Sequence, residues 1–275
     1  MSAFEIGNIK IGLDEGLFVI AGPCVIESFD NCMEVAETLL EVREKTSVPV
    51  IFKGSFDKAN RSSISSFRGP GLKKGLEILD KVRQKTGLSI ATDVHEPSQA
   101  APVGEVVDCI QVPAFLCRQT DLLVECAKTG KPVSVKKGQF VSPEEMTNVV
   151  GKLRSSGAEK IMLTERGTFF GYNRLVNDFG GFSTMKSLGC PVIFDATHST
   201  QSPGGLGGTS GGQRQLAPVL ARAAVAAGAN GLFLETHPDP DNAKCDAACM
   251  IPTSWVEGLV TQCAKIFDIV RNSEI

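Results

Sequence analysis

Eight short apolar runs in this chain each lead into a charged or reactive side chain, and this arrangement constrains the fold most strongly. The runs are rich in Val and Ile and barely alternate with polar residues, as is typical of parallel strands covered on both faces. They begin at Phe18, Val50, Ile90, Cys109, Val133, Ile161, Val192 and Leu232, and lead into Cys24, Lys53, Asp93 and His95, Arg118, Lys136 and Lys137, Glu165 and Arg166, Asp195 and His198, and Glu235 and His237. If the strands close into a barrel, all these ends meet on the face where such barrels carry active sites. The sequence therefore predicts an enzyme.

Segments with helical spacing separate the runs and supply the crossovers that parallel strands need. They cover residues 32–44, 71–85, 98–107, 121–128, 143–155 and 215–227, and a last helix is expected at 254–270. With 275 residues the chain has about the length of one (β/α)8 (TIM) barrel, an α/β fold. We predict a single domain over residues 1–275. Alternating residues around Gly7 and Asn8 predict a β-hairpin within residues 1–12 that caps the bottom of the barrel.

Composition excludes several classes of protein. The net charge of -3 and pI near 5.7 give no electrostatic footprint for nucleic acid or anionic membranes. No secretory signal pattern or long apolar span is found, so we expect a cytoplasmic protein without nucleic-acid or membrane partners. The nine cysteines contain no C-x-x-C pair and do not resemble a disulfide framework. We expect most of them, including Cys32, Cys109, Cys126, Cys190 and Cys263, to be small buried hydrophobic residues.

Cationic residues cluster after the second run and recur at later strand ends. Lys53, Lys58 and Arg61 lie within one predicted loop, and Arg118, Lys136, Lys137 and Arg166 follow later runs. Arg forks, Lys point charges and backbone N–H groups together suit phosphate recognition. We therefore expect anionic substrates that carry more than one phosphate or carboxylate. The alternative is a solvated loop with surface salt bridges.

A possible metal site combines a thiol, an imidazole and two carboxylates. Cys24, His198, Glu235 and Asp246 suit a borderline divalent ion such as Zn, Fe or Mn. In the alternative interpretation, Cys24 belongs to the core and His198 is a general base without a metal. His95 and His237 are the competing histidines.

A glycine-dense segment at residues 202–212 follows the seventh run. It matches neither a P-loop nor a dinucleotide fingerprint. Its position predicts a mobile loop over the site, either a lid that excludes water or a plain connection.

Long motifs in order along nearly the whole chain resemble the 3-deoxy-D-manno-octulosonate 8-phosphate synthases. They are AGPCVIES at 21–28, FKGSFDKANRSS at 52–63, TDVHE at 92–96, QVPAFLCRQTD at 111–121, KKGQF at 136–140, ERG at 165–167, FGYN at 170–173, DATHS at 195–199 and ETHPDP at 235–240. The resemblance implies condensation of phosphoenolpyruvate with D-arabinose 5-phosphate and water, which gives the eight-carbon sugar phosphate of lipopolysaccharide synthesis and inorganic phosphate.

The resemblance also implies roles for individual residues. Lys53, Lys58, Lys136 and Arg166, with the backbone near Ala114, would hold phosphoenolpyruvate, while Asn60, Arg61, Ser62 and Asp93 would hold the pentose phosphate. Gln111 would also bind substrate, and Phe115 and Arg118 would reach in from a neighbouring subunit of a homotetramer. Lys58, Lys136, His198 and Asp246 would be catalytic.

The family has a metal-dependent form with cysteine in the first motif and a metal-free form with asparagine there. Cys24 resembles the metal-dependent form, which implies Cys24, His198, Glu235 and Asp246 as ligands and no organic cofactor. Residues 245–252 match neither form cleanly. Two other functions stay open: the sister synthase that uses erythrose 4-phosphate, which the loop at 58–63 disfavours, and a non-catalytic sugar-phosphate sensor.

Overall fold

Eight parallel strands form a closed barrel in the computed structural model, which describes residues 3–204 and 211–272. The strands are β1 (Phe18–Gly22), β2 (Val50–Lys53), β3 (Ser89–Asp93), β4 (Cys109–Val112), β5 (Val133–Lys136), β6 (Ile161–Glu165), β7 (Val192–Asp195) and β8 (Gly231–His237). Each strand pairs in parallel with the next, and β8 also pairs with β1, as in the register Gly231 to Phe18. The predicted (β/α)8 barrel is confirmed.

Helices surround the barrel and follow the predicted segments to within three residues at each end. They are α1 (Phe29–Thr46), α2 (Leu72–Thr86), α3 (Pro97–Val106), α4 (Thr120–Lys128), α5 (Met146–Ser155), α6 (Gly181–Ser187), α7 (Ala217–Ala226) and α8 (Thr253–Arg271). Helix α6 was not predicted, because its seven residues are too few to establish a helical period. None of the helices in the described ranges is long and apolar enough to cross a bilayer.

The predicted N-terminal hairpin is present and closes the amino end of the barrel. Its strands, Phe4–Ile6 and Ile9–Ile11, pair in antiparallel register. Their apolar side chains are buried against inward-facing barrel residues such as Phe18 and Met162. The Ser89 hydroxyl, at the start of β3, donates a hydrogen bond of 3.2 Å to the carbonyl of Ile6. The apolar hairpin face therefore keeps water out of this end of the barrel.

The inner face of the barrel changes from apolar to polar along each strand. Ile51, Ala91, Cys109, Ile193 and Phe233 belong to the apolar interior layer beside the hairpin. Side chains two positions apart on a strand share a face, so the residues that follow these by two also point inward, nearer the carboxyl end. Those residues are Lys53, Asp93, Gln111, Asp195 and Glu235, all of them buried. Strand alternation thus delivers a layer of charge to the mouth.

One glycine permits the close approach of two strand ends at this mouth. A Cβ atom on Gly22 would lie 2.0 Å from the carbonyl oxygen of Lys53, a distance that no side chain can occupy. Glycine at this position therefore lets the ends of β1 and β2 meet, which brings Cys24 and Lys53 to the same side of the mouth.

Candidate active site

A cavity of about 450 Å³ opens at the carboxyl ends of the strands. Fourteen of the predicted site residues line it: Lys53, Lys58, Asn60, Arg61, Ser62, Asp93, Gln111, Ala114, Phe115, Lys136, Arg166, His198, Glu235 and Asp246. The convergence expected from the strand ends is therefore present. The volume of the cavity and the charged side chains of its wall suit small anionic molecules better than an apolar ligand.

Two predicted site residues do not line this cavity. Cys24 is buried beside it, and its Sγ atom lies 3.4 Å from Oδ2 of Asp246, so it belongs to the same cluster. Arg118 is exposed, and its backbone carbonyl accepts a hydrogen bond of 2.9 Å from Lys152. Within one subunit, Arg118 does not reach the cavity.

Lys137 was expected to add a further cation at the mouth of the barrel, and this expectation is wrong. Its ammonium group is fully buried, lies 3.5 Å from Oε2 of Glu165 and donates to the carbonyl of Val141 at 3.0 Å. Lys136 is the last residue of β5 and lines the cavity, whereas Lys137 follows the strand and its side chain lies outside the cavity lining. Lys137 instead anchors the loop after β5.

The cavity lysines are paired with carboxylates, and Lys53 and Lys136 are buried while Lys58 is half-buried, so the interpretation as a solvated loop is wrong for them. Lys53 lies 3.2 Å from Asp93, Lys58 lies 3.3 Å from Glu235, and Lys136 lies 2.5 Å from Asp195. Burial lowers the pKa of Lys136 despite the nearby carboxylates of Asp195 and Glu235. Among the cavity lysines, Lys136 therefore gives up a proton more readily than an ordinary lysine does.

Two arginines at the cavity hold buried N–H groups that lack an acceptor. Nε of Arg61 and Nη1 of Arg166 have no hydrogen-bond partner among the described residues. Nη2 of Arg166 donates to the side chain of Gln201, and Nη1 of Arg61 donates to the Sγ atom of Cys245 at 2.7 Å. A buried unpaired donor on a charged group is costly, so each guanidinium calls for an anionic partner.

His198 is oriented by the carboxylate of Asp195. Nδ1 of His198 lies 2.7 Å from Oδ2 of Asp195, and the backbone N–H of His198 donates to Oδ1 at 2.9 Å. This leaves Nε2 facing Glu235 at 3.4 Å and Asp246 at 3.7 Å. Burial disfavours the imidazolium, but the charges of Asp195 and Glu235 outweigh burial and raise the pKa of His198.

The four predicted metal ligands fall into two groups of donor atoms that share Asp246. Oδ2 of Asp246 lies near both Sγ of Cys24 and Nε2 of His198, and the buried Oε2 of Glu235 has no hydrogen-bond partner among the described residues. Asp246 has a φ of 46°, a left-handed conformation that a non-glycine residue adopts at some cost and that occurs often at functional sites. Thiol, imidazole and carboxylates form a donor set that suits Zn, Fe or Mn.

The competing histidines lie outside this donor group. Nε2 of His95 lies 3.0 Å from Asp93, on the other side of the Lys53 pair. Nε2 of His237 lies 3.1 Å from the side chain of Asn31. His198 is therefore the histidine whose neighbour Asp246 also contacts Cys24.

Sequence reasoning assigned no role to several residues of the site. Asp195 and Cys245 contact proposed site residues directly, Ser55 bridges Lys53 and Asp93 at 2.5 Å on each side, and Gln139 and Gln201 line the cavity. The spacing of Asp195 and His198 was a usable signal, because side chains three residues apart in a turn after a strand can meet. Nothing in the local sequence marks Gln139.

The glycine-dense segment is described only in part, since residues 205–210 lie outside the described residues. Gln201–Ser202 pairs with Gly211–Gly212 in antiparallel register. Pro203 and Gly204 line the cavity, so the segment leaves the barrel beside the site.

Comparison with known proteins gives consistent matches over almost the whole chain. A family model described as the DAHP synthetase I family matches residues 2–270. A protein of Nitratidesulfovibrio vulgaris named 2-dehydro-3-deoxyphosphooctonate aldolase is 60% identical over 238 residues, 86% of each chain. Proteins with the same name from Desulfatibacillum aliphaticivorans and Syntrophotalea carbinolica are 54% and 52% identical, over 96% and 98% of this chain and 97% of each relative.

Proposed function

This chain belongs to the DAHP synthetase I family, and we propose that it acts as a 2-dehydro-3-deoxyphosphooctonate aldolase. It condenses phosphoenolpyruvate with D-arabinose 5-phosphate and water to give 3-deoxy-D-manno-octulosonate 8-phosphate and inorganic phosphate. The product is a sugar acid of lipopolysaccharide. The reaction is a transfer to an aldehyde carbon, and both substrates are anions.

One observation carries the proposal. Two guanidinium groups with unpaired buried N–H donors, Arg61 and Arg166, line one cavity together with a thiol, imidazole and carboxylate cluster. Two anion sites on either side of one reaction centre are what a condensation of two phosphorylated substrates requires. A binding protein would need the cations but has no use for the cluster.

Phosphoenolpyruvate would occupy the part of the cavity near Arg166 and the cavity lysines. Lys53, Lys58 and Lys136 provide point charges for its carboxylate and phosphate, and Arg166 provides a fork for bidentate contact. The backbone at Ala114 closes this part of the wall. Because the lysines are already held by carboxylates, the substrate meets fixed charges and little reorganisation is needed.

The pentose phosphate would lie toward the loop after β2. Asn60, Arg61 and Ser62 line the cavity there, and Asp93 and Gln111 lie between this loop and Lys136. Hydroxyl groups of the sugar have carboxylate and amide partners in these two residues. Holding both substrates by their anionic ends places C3 of one beside the aldehyde of the other.

The bond changes then follow a single sequence. The C2=C3 electron pair of phosphoenolpyruvate forms the new C–C bond to the aldehyde carbon, and the aldehyde oxygen takes a proton. Water adds to the cationic C2 and loses a proton. The C2–O bond to phosphate breaks as the C2 hydroxyl becomes a ketone, which releases inorganic phosphate.

Four residues are proposed to move or stabilise charge in this sequence. Lys136, whose pKa burial lowers, is placed to donate a proton near the aldehyde oxygen. Lys58 stabilises negative charge beside Glu235. The carboxylate of Asp246, whose Oδ2 atom lies 3.7 Å from Nε2 of His198, can orient the attacking water and accept its proton, and His198 holds this carboxylate in place.

A divalent ion, Zn, Fe or Mn, is proposed at Cys24, His198, Glu235 and Asp246. When bound, it supplies Lewis-acid stabilisation of developing negative charge and lowers the pKa of water. Burial raises the pKa of Cys24 well above its ordinary value, so this thiol needs a cation beside it to become a thiolate ligand. No organic cofactor is needed for the reaction.

We further propose a cytoplasmic homotetramer whose neighbouring subunits complete the sites. Phe115 is 53% exposed at the cavity mouth, and Phe140, Phe170 and Tyr172 are also exposed on the loops of this face. Large apolar groups grouped on one face favour contact with another protein surface. Arg118 is then free to reach a neighbour's site. The molar mass from light scattering would test the assembly.

A phosphate-release assay with two aldoses tests the proposed function. With phosphoenolpyruvate present, D-arabinose 5-phosphate should release phosphate rapidly and erythrose 4-phosphate only slowly. The reverse preference would assign the sister synthase instead. If the protein binds both substrates but releases no phosphate after Zn, Fe and Mn have each been added, the non-catalytic sugar-phosphate sensor would be the remaining function.

A further inference from the structure

The proposed metal site contains a second thiol that the four-ligand set does not use. Sγ of Cys245 lies 3.6 Å from Oδ2 of Asp246, the same oxygen that lies 3.4 Å from Sγ of Cys24. All three donor atoms lie within 4.8 Å of one another. A second group, His198, Glu235 and Asp246, meets the same limit, and Asp246 belongs to both.

Cys245 differs in its surroundings from the cysteines predicted to be plain core residues. It lines the cavity and contacts the guanidinium of Arg61 and the carboxylate of Asp246. Val25 and Met250 pack on its apolar side and restrict water. Cys249, in the same loop, instead directs its thiol to the carbonyl of Gly211 at 3.7 Å and lies outside both donor groups.

We propose that Cys245 is a second thiolate ligand of the metal ion, an inference that rests on the proposed metal-assisted function. The buried Oε2 of Glu235, which has no hydrogen-bond partner among the described residues, marks the other side of the same site. Five residues from β8 and the loops after β1, β7 and β8 would then hold the ion, with Asp246 common to both donor groups. Two of their donor atoms are sulfur.

Two sulfur donors change which ion the site selects. Thiolates favour Zn and ferrous iron, whereas Mn favours oxygen donors. A site with one thiol, one imidazole and two carboxylates discriminates less among these ions. The second thiolate therefore narrows the expected cofactor to a thiophilic ion.

Cys245 also links the ion to the proposed pentose-phosphate site. A metal-bound thiolate keeps lone pairs that can accept a hydrogen bond, so the 2.7 Å contact from Nη1 of Arg61 can persist beside the ion. Partners of this kind orient a ligand and adjust its electron density. Arg61 would then act on the ligand with one nitrogen and leave Nε for substrate.

Cobalt substitution tests the inference without relying on turnover. Thiolate-to-Co(II) charge-transfer absorption scales with the number of thiolates bound. We expect Cys245→Ser to lose about half of this band and to lower Zn affinity more than about 100-fold, which exceeds the usual effect of removing a residue that only hydrogen-bonds to a ligand. Cys249→Ser is the matched control from the same loop and should keep the full charge-transfer band and the wild-type Zn affinity. Zn affinity is measured by competition with a chromophoric chelator.

The outcomes distinguish failure of the second thiolate ligand from failure of the proposed metal site. A Cys245→Ser spectrum equal to that of the wild-type protein, with the band lost in Cys24→Ser, overturns the second ligand and keeps the four-ligand site. No charge-transfer band in the wild-type protein overturns both. If Cys245→Ser fails to fold, the wild-type protein still decides the point, since the 113Cd chemical shift moves downfield with each thiolate ligand and distinguishes one sulfur from two.

Discussion

Nδ1 of His198 lies 2.7 Å from Oδ2 of Asp195, and both residues come from one turn at the end of β7. The same oxygen lies 2.5 Å from Nζ of Lys136. Asp195 therefore orients the proposed metal-binding histidine and holds the proposed proton donor, although it contributes no donor atom to the metal groups.

Replacing Asp195 by Asn should weaken metal binding while leaving the ligand set intact. The amide can still accept a hydrogen bond but removes the charge that fixes the imidazole, and loss of such a partner costs roughly 10- to 100-fold in metal affinity. Competition with a chelator measures the change. Asp80→Asn, on the outer helix α2, is the control and should bind metal as the wild-type protein does. An unchanged affinity in Asp195→Asn would remove the positioning role.

Arg166→Ala should raise KM for phosphoenolpyruvate. A hydrogen bond to a charged group contributes about 1.5–3 kcal/mol, which corresponds to roughly 10- to 150-fold in binding. Steady-state kinetics with pentose phosphate held at saturation would show it. Arg222→Ala serves as the control, because Arg222 bonds to Gln262 on the outer helices. If KM stayed at the wild-type value, the unpaired Nη1 of Arg166 would need another explanation.

Removal of divalent ions should abolish turnover if the ligand cluster holds a metal. Chelation followed by gel filtration should give inactive protein, and Zn, Fe or Mn should restore it. Cys24→Asn should bind metal poorly and retain a remnant of metal-independent activity, since the family that the motifs resemble has asparagine at this position in its metal-free form. Full activity in a verified metal-free sample would contradict the metal proposal.

Asp93 should make stability depend on pH in a predictable direction. Burial alone would raise its pKa, but Lys53 and a hydrogen bond from His95 hold the pKa of Asp93 well below its ordinary value. A depressed folded-state pKa gives stability that is present above the unfolded pKa of about 4 and is lost as the pH falls below it. Metal-free protein should therefore melt at lower temperature as the pH falls from 5 toward 3.

Asp93→Asn should lower the free energy of unfolding at pH 7. It should also make the melting temperature fall less steeply as the pH falls from 5 toward 3. Removing one partner of a buried pair costs about 3–5 kcal/mol, equivalent to a decrease in Tm of roughly 10 °C in a chain of this size. Calorimetry at several pH values compares the slopes. Asp57→Asn provides the control, since its partner Arg68 is mostly exposed. Parallel slopes in Asp93→Asn and wild type would show that Asp93 is not the titrating group.

The barrel could be predicted because its evidence is periodic and local. Each apolar run was long enough to identify a strand, and a parallel barrel brings the carboxyl ends to one face whatever the side-chain details. That geometry alone predicted that one cavity would be lined by Lys53, Lys136, Arg166 and His198. The hairpin followed from its turn residues Gly7 and Asn8.

The contacts that each site residue makes could not be predicted in the same way, because they depend on side-chain direction and on distances between loops. Lys136 and Lys137 look alike in the sequence, yet one faces the cavity and the other pairs with Glu165 outside it. The approach of Cys245 to Cys24 joins loops more than two hundred residues apart, and no local pattern records it. Helix α6 was too short to give a period.

Product mass from a competition reaction tests the central claim most directly. Purified protein with its metal is given phosphoenolpyruvate and equal concentrations of D-arabinose 5-phosphate and erythrose 4-phosphate, and the sugar acids are separated by mass. The account predicts the eight-carbon product in large excess. A seven-carbon product in excess, or no condensation product, would contradict it.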